Sequence, residues 1–496
     1  MRLSKLLKNI RGIKELLGNM ETEITCLSAD SRSVMENGLF FCLTGGAVDS
    51  HVYAMQAIKN GAVAIVTERR LETDAPQIVV EDSREAISLI SAAFYGDPSE
   101  RMRVVGITGT NGKTTVSYML ASILENAGKK TGIIGTLGIR YGNKKINSGL
   151  TTPDPIQLQK VLAEMFLHGV EYVVMEVSAH ALWYKKTDGI SFAACIFTNL
   201  SQDHLDFFRD MQQYKETKLR LFSKDCPIAI VNGDEETGRE IGKCREAKEV
   251  ASMQKTVFYG LQTPADAFAV VTDESLYKTE CVLNINDRLC RLSLSMTGRH
   301  NVYNALAAAA CAVELGVSTQ SVSEGLKLLK GVDGRLENVG CCNGADIYVD
   351  FAHTPDGLAK SLDALRPHCK GRLLCLFGCG GNRDKTKRPL MGEIAAKKAD
   401  FSVLTSDNPR YEDPLDIIAG IEKGYRRFSI KYVVVPDRKT AIGYALELLR
   451  ENDILLIAGK GGEEYQEIMG IKYRFKDHDI IEKLLKKKEC PRSFKE

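Results

Sequence analysis

Short apolar runs of strand length recur along the whole chain, and between them lie stretches with helical spacing of apolar positions. Near the N-terminus "GLFFCL" and "GAVAIVTE" read as buried strands, with "HVYAMQAIKNG" between them as a helix closed by Gly61. The run "RVVGIT" then enters a glycine-rich turn. "VSYMLASILENAGKKTG" follows as a helix with Val116, Met119, Leu120 and Ile123 on one face and Gly128 at its end. "YVVMEVS", "AACIFTNL" and "IAIVNGD" continue the strands, and "NVYNALAAAACAVELG" is a strong helix. Beyond it "DIYVDFAHT", "GRLLCLFGCGG", "FSVLTSDNP", "KYVVVPD" and "DILLIAGKGG" repeat the alternation, each ending in a polar or glycine-rich tip. Strands alternating with helices predict parallel sheets with sites at the strands' carboxyl ends.

Two interruptions divide the pattern: "YGDPSERM", with its Gly and Pro, and "LKGVDGRLE". They predict an α/β protein of three domains. These are a small N-terminal α/β unit (1–101), a central domain with a P-loop-type parallel sheet (102–331) and a C-terminal doubly wound domain (332–496). A length of 496 residues agrees, since it exceeds one ordinary core.

Composition changes this picture little. Apolar residues make up 44%, charged residues 26%, and the net charge is +2, which gives no reason to expect nucleic acid or a membrane as partner. Met1–Ile10 has no continuous apolar core of a signal peptide, and no apolar run reaches membrane-span length, so a cytoplasmic location is expected. The fourteen cysteines are scattered without a C-x-x-C pair. Reduced, partly buried thiols are expected, not a zinc site.

The chemistry gathers at strand ends. "GITGTNGKTT" (Gly106–Thr115) resembles a phosphate loop but departs from G-x-x-x-x-G-K-[ST], because Ile107 stands where the first glycine belongs. Its context, strand then glycine turn then helix N-terminus, is the one such a loop requires. Gly109 and Gly112 let backbone N–H groups approach phosphate oxygens, Lys113 reaches the β- and γ-phosphates, and the Thr114 hydroxyl suits Mg²⁺. "MEVSAH" puts Glu176 and His180 past one strand, and "SQDHLD" puts Asp203, His204 and Asp206 past the next. Such groups suit a divalent cation beside phosphates; each alone also reads as a solvated acid or a hydrogen-bonded histidine. In "YKETKLRLF", Lys215 and Lys218 read by pattern as a solvated helix face. "FGCGGNRDKTKRP", "SDNPR" and "GKGGEEYQ" offer cations, acids and backbone donors that suit a zwitterionic ligand such as an amino acid, although each alone also reads as a charged rim.

Taken in order, "TGTNGKTT", "MEVSAH", "TNLSQDHLD", "YKETK", "GRHNVYNALAA", "GRLE", "DFAHTPD", "FGCGGNRDKTKRP", "SDNPR" and "GKGGEEYQ" resemble the Mur ligases over essentially the whole chain. Within them the resemblance is to the branch that adds the third residue to UDP-N-acetylmuramoyl-L-alanyl-D-glutamate. That family uses the shorter loop T-G-T-x-G-K-[ST], matched by Thr108–Thr114. The resemblance implies ATP on Gly109, Thr110, Asn111, Gly112, Lys113, Thr114 and Thr115, with Asn301, Arg335 and Asp350 toward the nucleotide. It implies Ser31 at the uracil end of the UDP-substrate and Thr151, Thr152, Ser178 and Lys186 on the muramoyl-dipeptide. Glu176 and His204, with Thr114, are implied as Mg²⁺ ligands, and Lys218 as a carbamylated lysine that offers a metal an anionic oxygen. Arg388, Asp407, Asn408, Pro409, Arg410, Gly459 and Glu463 are implied for the incoming amino acid.

The sequence departs from the family pattern at Ala179 (usually Ser), Lys186 (usually Arg), Phe208 (usually His) and Gly462 (usually His). Lys186 keeps the charge but not the bidentate fork. The activity implied is cytoplasmic, ATP-dependent addition of meso-diaminopimelate through an acyl phosphate, by a monomer. Addition of L-lysine or another diamino acid, and a paralogue that binds nucleotide without ligating, are the alternatives. Retention of Lys113, Glu176, His204 and Lys218 argues against the last.

Overall fold

The computed structural model describes residues 1–45, 48–223, 226–247 and 254–489. The chain forms two compact units: Met1–Thr108 with Lys129–Cys195 and Arg220–Pro227, and Gly109–Gly128 with Ile196–Leu219 and Ile228–Glu496.

In the first unit the N-terminal residues form a five-stranded sheet in the order Ile13–Leu17, Gln77–Val80, Ala62–Thr67, Gly38–Phe41, Cys26–Ser28. All neighbours are parallel except Ile13–Leu17, which runs antiparallel to Gln77–Val80. Helix Ser83–Phe94 turns Ala86, Ile87 and Ile90 onto Leu39, Phe41, Ala64, Val66, Ile78 and Val80. Asp82 caps it by accepting from the Arg84 and Glu85 N–H groups. The helix expected across "HVYAMQAIKNG" is a 3₁₀ turn, Ser50–Tyr53, continued by helix Ala54–Lys59. The Asp49 side chain captures the His51 N–H and tightens that first turn. The same unit carries Arg103–Thr108, Tyr172–Glu176 and Thr131–Gly135 as parallel neighbours, extended by the antiparallel strands Gly138–Tyr141 and Lys144–Ile146. Glu176 pairs with Ile107 at the carboxyl end of its strand.

In the second unit Ile228–Asn232 and Lys255–Gly260 are parallel, and Ala267–Glu274 joins them in parallel at its start. Thr279–Ile285 and Arg288–Leu294 then fold back antiparallel, so the parallel sheet expected for the central segment carries an antiparallel extension. Helices Lys113–Asn126, Arg299–Glu314 and Thr319–Leu328 belong to the same unit. Val116, Met119, Leu120 and Ile123 are fully buried, as their spacing requires. Gly325 lets two helices touch: a Cβ there would lie 2.6 Å from the Ile123 Cα.

The C-terminal sheet is six-stranded, in the order Glu337–Cys342, Ala345–Asp350, Ile454–Ala458, Leu373–Phe377, Phe401–Leu404, Tyr432–Val434. Only the first pair is antiparallel. Cores on both faces bury it, which is the doubly wound arrangement. The tips "FAHT", "GKGG", "GCGG" and "SDNP" therefore stand side by side at one edge. Hairpin Tyr465–Ile468 with Ile471–Arg474 folds over that edge and bridges to Arg410. Among the described residues no helix is long and apolar enough to cross a membrane.

Candidate functional site

Within the second unit the glycine loop is fixed by what surrounds it. Gly109 and Gly112 have φ of +147° and +87°, and a Cβ would fall 1.9 Å from Thr198 Oγ1 at the first and 2.5 Å from Asn304 Oδ1 at the second. The Thr110 and Asn111 N–H groups donate to the carbonyl (2.9 Å) and Oδ1 (3.0 Å) of Asn199. Thr198 Oγ1 donates to the Asn111 carbonyl at 2.7 Å. The loop delivers Thr114 and Thr115, both buried, to the first turn of helix Lys113–Asn126, where N–H groups favour phosphate oxygens.

Two lysines converge on one carbonyl of this loop. Lys113 Nζ donates to the Gly109 and Thr110 carbonyls at 2.9 Å each, and Lys218 Nζ donates to Gly109 at 2.8 Å. Lys218 is 1% exposed, and its Nζ lies 4.5 Å from the centre of the Tyr214 ring. Phe208, at a position where the family pattern has histidine, packs on Tyr214 at 5.2 Å and is itself buried. Burial first, then the charge of Lys113, hold the Lys218 amine well below the ordinary lysine range, against the pull of Asp203. The solvated face expected for both lysines therefore fails for Lys218, while Lys215 is partly exposed and pairs with Glu240 at 3.0 Å.

The carboxylate of Asp203 collects three partners: His204 at 3.3 Å, His353 at 3.5 Å and Lys387 at 3.4 Å. Burial raises its pKa, but His353, Lys387 and His204 outweigh that and keep it well below the usual carboxylate range. His204 adopts φ +57°, a left-handed backbone that turns its ring toward Asp203. Gln202 reaches Thr386 at 2.9 Å, and Asn111 reaches Asp356 at 2.9 Å. From the sequence Asp203 reads only as one of the groups suited to a divalent cation and Lys387 only as one of the cations in "FGCGGNRDKTKRP", while His353 and Asp356 carry no assigned role. The only signal was an imidazole in "DFAHTPD" and a lysine among several.

Arg335 Nη2 donates to Thr114 Oγ1 at 3.0 Å, and its guanidinium lies 4.4 Å over Phe351. Asp350 accepts from the Leu336 N–H (2.6 Å), the Ala352 N–H (2.9 Å) and the Ser361 hydroxyl (2.9 Å), so it anchors the turn that carries Arg335. Asn301 donates to the Thr297 carbonyl and accepts from Asn304, the residue beside Gly112.

At the sheet edge Asn408 is the organiser. Its Oδ1 accepts from Lys460 (3.1 Å) and the Glu467 N–H (3.0 Å), and its Nδ2 donates to Glu463 (2.9 Å). Asp407 accepts the Asn408 N–H at 2.6 Å, and a Cβ on Gly459 would lie 2.6 Å from Asp407 Oδ2. The Pro409 carbonyl stands where a Cβ on Gly381 would fall, 1.9 Å away. Arg410, at φ +52°, pairs with Glu467 at 3.2 Å and donates to the Gly381 carbonyl at 2.9 Å. Glu412 belongs instead to Arg388, which is buried against it at 3.0 Å. Arg388 braces two turns, while Arg383 on the same glycine turn is half exposed.

In the first unit Glu176 is 1% exposed and accepts from the Thr136 N–H and hydroxyl, each at 2.9 Å. Thr136 meets Thr151 at 3.1 Å. Thr152 donates to the Glu176 carbonyl (2.9 Å) and accepts the Ser178 N–H (3.1 Å), while Ser178 caps the short helix Ala179–Trp183. Lys186, beyond that helix, pairs with Asp154 at 2.7 Å. Thr151, Thr152, Ser178 and Lys186 thus gather around "TTPDP". Ser31 lies in the N-terminal part of the unit, where its carbonyl accepts from Asn60 at 2.8 Å.

Three family models match successive stretches: the Mur ligase family catalytic domain over 23–95, the Mur ligase middle domain over 107–312, and the Mur ligase glutamate ligase domain over 334–461. The UDP-N-acetylmuramoyl-L-alanyl-D-glutamate--2,6-diaminopimelate ligase of Caldanaerobacter subterraneus subsp. tengcongensis is 40% identical over 491 residues, covering 99% of this chain and 100% of the relative. The chain belongs to the Mur ligase family. A solved structure carrying the same enzyme name superposes with a TM-score of 0.71 at 29% identity, with 99% of each chain covered. The MurF ligase of Thermotoga maritima in complex with ADP superposes at 0.60 with 21% identity, covering 94% of this chain and 97% of that one. The three-domain α/β architecture of Mur ligases is thus present here.

The loop suits the phosphate chain of a nucleotide, because only glycines fit at 109 and 112. Among the described residues no cluster of three or more His, Cys, Asp or Glu side chains is built around a metal.

The depressed Lys218 pKa has a stability consequence. Between that pKa and the ordinary lysine value of about 10.4 the unfolded chain binds the extra proton, so stability falls as pH is lowered. In CO₂-depleted buffer Lys218→Met is expected to raise the melting temperature, with a larger gain at pH 7 than near pH 10. Calorimetric scans at the two pH values check this, and a variant less stable at both would contradict it.

Proposed function

We propose that this Mur ligase joins meso-2,6-diaminopimelate to the D-glutamate of UDP-N-acetylmuramoyl-L-alanyl-D-glutamate, forming ADP and phosphate, in cytoplasmic peptidoglycan precursor synthesis. The observation that carries the reading is the 40% identity to a diaminopimelate ligase across both full chains. Domains at 1–101, 102–331 and 332–496, binding respectively the UDP end, ATP and the amino acid, are part of the proposal. So are a monomeric state and the absence of nucleic-acid or membrane partners.

The chemistry follows from the reactants. An oxygen of the D-glutamyl carboxylate attacks the γ-phosphorus of ATP and ADP leaves, giving an acyl phosphate. The free amine of the diamino acid attacks the acyl carbon, a proton leaves the nitrogen, and phosphate departs with its bonding electron pair. Lys113, now folded onto the loop carbonyls, is assigned to the β- and γ-phosphates, where it offsets charge developing on the transferred group. Gly109, Thr110, Asn111, Gly112, Thr114 and Thr115 are assigned to ATP, with Asn301, Arg335 and Asp350 framing them. Magnesium would neutralise phosphate charge; Thr114, Glu176 and His204 are each assigned to it on their motifs. Lys218 is assigned as an N6-carboxylysine. A buried, neutral amine has a free lone pair for CO₂, and the loss of one proton leaves an anionic carbamate where an ammonium would repel a cation.

Ser31, Thr151, Thr152, Ser178 and Lys186 are assigned to the UDP-substrate. Asp407, Asn408, Pro409, Arg410, Gly459 and Glu463 are assigned to the amino acid, with Arg388 bracing their turn through Glu412. Arg410 carries the choice of amino acid. Diaminopimelate and lysine differ by one carboxylate at the far end, and a guanidinium fork matches that carboxylate.

A phosphate-release assay with the UDP-dipeptide and diaminopimelate in competition with L-lysine is expected to show clear preference for diaminopimelate. Preference for lysine overturns the amino-acid assignment, and phosphate release with no amino acid in the panel overturns the ligase. Arg410→Ala is expected to weaken diaminopimelate addition by roughly 2–4 kcal/mol in kcat/KM while lysine addition changes far less. An equal loss for both amino acids would assign Arg410 to the Glu467 pair alone.

A further inference from the structure

Lys185 is one of the few non-glycine residues held in the left-handed region, at φ +54°. It follows the short helix Ala179–Trp183 and closes it: its own N–H donates to the Leu182 carbonyl at 3.3 Å, and the next N–H, of Lys186, to Ala181 at 2.8 Å. This is a position glycine fills without strain and lysine does not. The Lys185 side chain instead reaches out to helix Ser83–Phe94 of the N-terminal segment. Its Nζ meets Asp82 at 2.9 Å and Glu85 at 2.6 Å. Its carbonyl accepts the Ser88 hydroxyl at 2.6 Å. On either side of it, Arg84 lies 4.4 Å over the Tyr184 ring, and a Cβ on Gly189 would fall 2.4 Å from the Ser88 carbonyl.

Side chain, carbonyl and both flanks thus fix one turn to one helix. That turn stands between Ser178 and Lys186, and the helix packs on the sheet beside which Ser31 lies. We propose that Lys185 is a positioning residue for the UDP-substrate: it braces the muramoyl-dipeptide end of the site against the uridine end. The placement of one end relative to the other is thereby held. The inference rests on the assignment of Ser31, Ser178 and Lys186 to that substrate. A brace between the two ends acts on a ligand that touches both, and not on ATP or the amino acid.

The test is calorimetric binding of the UDP-dipeptide, and of UDP alone, to the full chain and to Lys185→Gly, which keeps the turn and removes both ion pairs. Two partly exposed pairs predict a roughly fivefold rise in Kd for the UDP-dipeptide. UDP alone, which reaches one end only, is expected to bind both proteins alike, and the KM for ATP is expected to be unchanged. Unchanged UDP-dipeptide affinity in Lys185→Gly overturns the proposal. So does an equal loss for UDP, UDP-dipeptide and ATP, the mark of a merely structural role. Failure of the unmutated chain to bind the UDP-dipeptide would overturn the substrate assignment itself, and is distinguished by that control.

Discussion

Two lysine amines share the carbonyl oxygen of Gly109, and much of the second unit is arranged around that fact. One of the two, Lys218, is almost fully buried, with the Tyr214 ring and a backbone oxygen as neighbours. Two full positive charges so close, one of them out of water, repel each other at low effective dielectric. The lower-cost solution is for the buried amine to give up its proton, the direction in which burial and the Lys113 charge drive Lys218. The glycines serve the same arrangement. A side chain at 109 would strike Thr198 and one at 112 would strike Asn304, so the loop could not lie flat enough to present its carbonyl to both amines.

Asp203 supplies the negative charge that acts on Lys218. It spends that charge on His204, His353 and Lys387, residues from "SQDHLD", "DFAHTPD" and "DKTKRP". A single carboxylate therefore ties three motifs far apart in sequence into one electrostatic unit. The sheet-edge network of Asn408, Lys460 and Glu463 is built the same way, with a buried cation held by side-chain and backbone acceptors. In both, polar groups are satisfied by one another, which fixes geometry more sharply than an apolar core does.

The strands that end in these tips were legible in the sequence because each is a continuous apolar run, the mark of burial on both faces. The glycine loop was legible because a strand, a glycine turn and a helix N-terminus follow one another there, although its spacing departs from the ordinary phosphate loop. Other features were hidden for definable reasons. "AFAVVTDE", "TECVLNI" and "RLCRLSL" alternate at period two, and their charged outward positions masked three real strands. Helix Met211–Leu219 buries Tyr214, Thr217 and Lys218, a set with no apolar pattern, so its lysine looked solvated. Beside Arg410 the sequence shows only the acids Asp407, Glu412 and Asp413. Its partner, Glu467, comes from a hairpin that folds back across the sheet edge.

The proposed carbamate requires Lys218 to be a neutral, CO₂-reactive amine. It is tested most directly by ¹³C NMR of the protein equilibrated with ¹³C-bicarbonate. One carbamate carbon resonance is expected in the unmutated chain, absent from Lys218→Ala and persisting in Lys215→Ala. No carbamate resonance at saturating bicarbonate, or one that survives in Lys218→Ala, would contradict it.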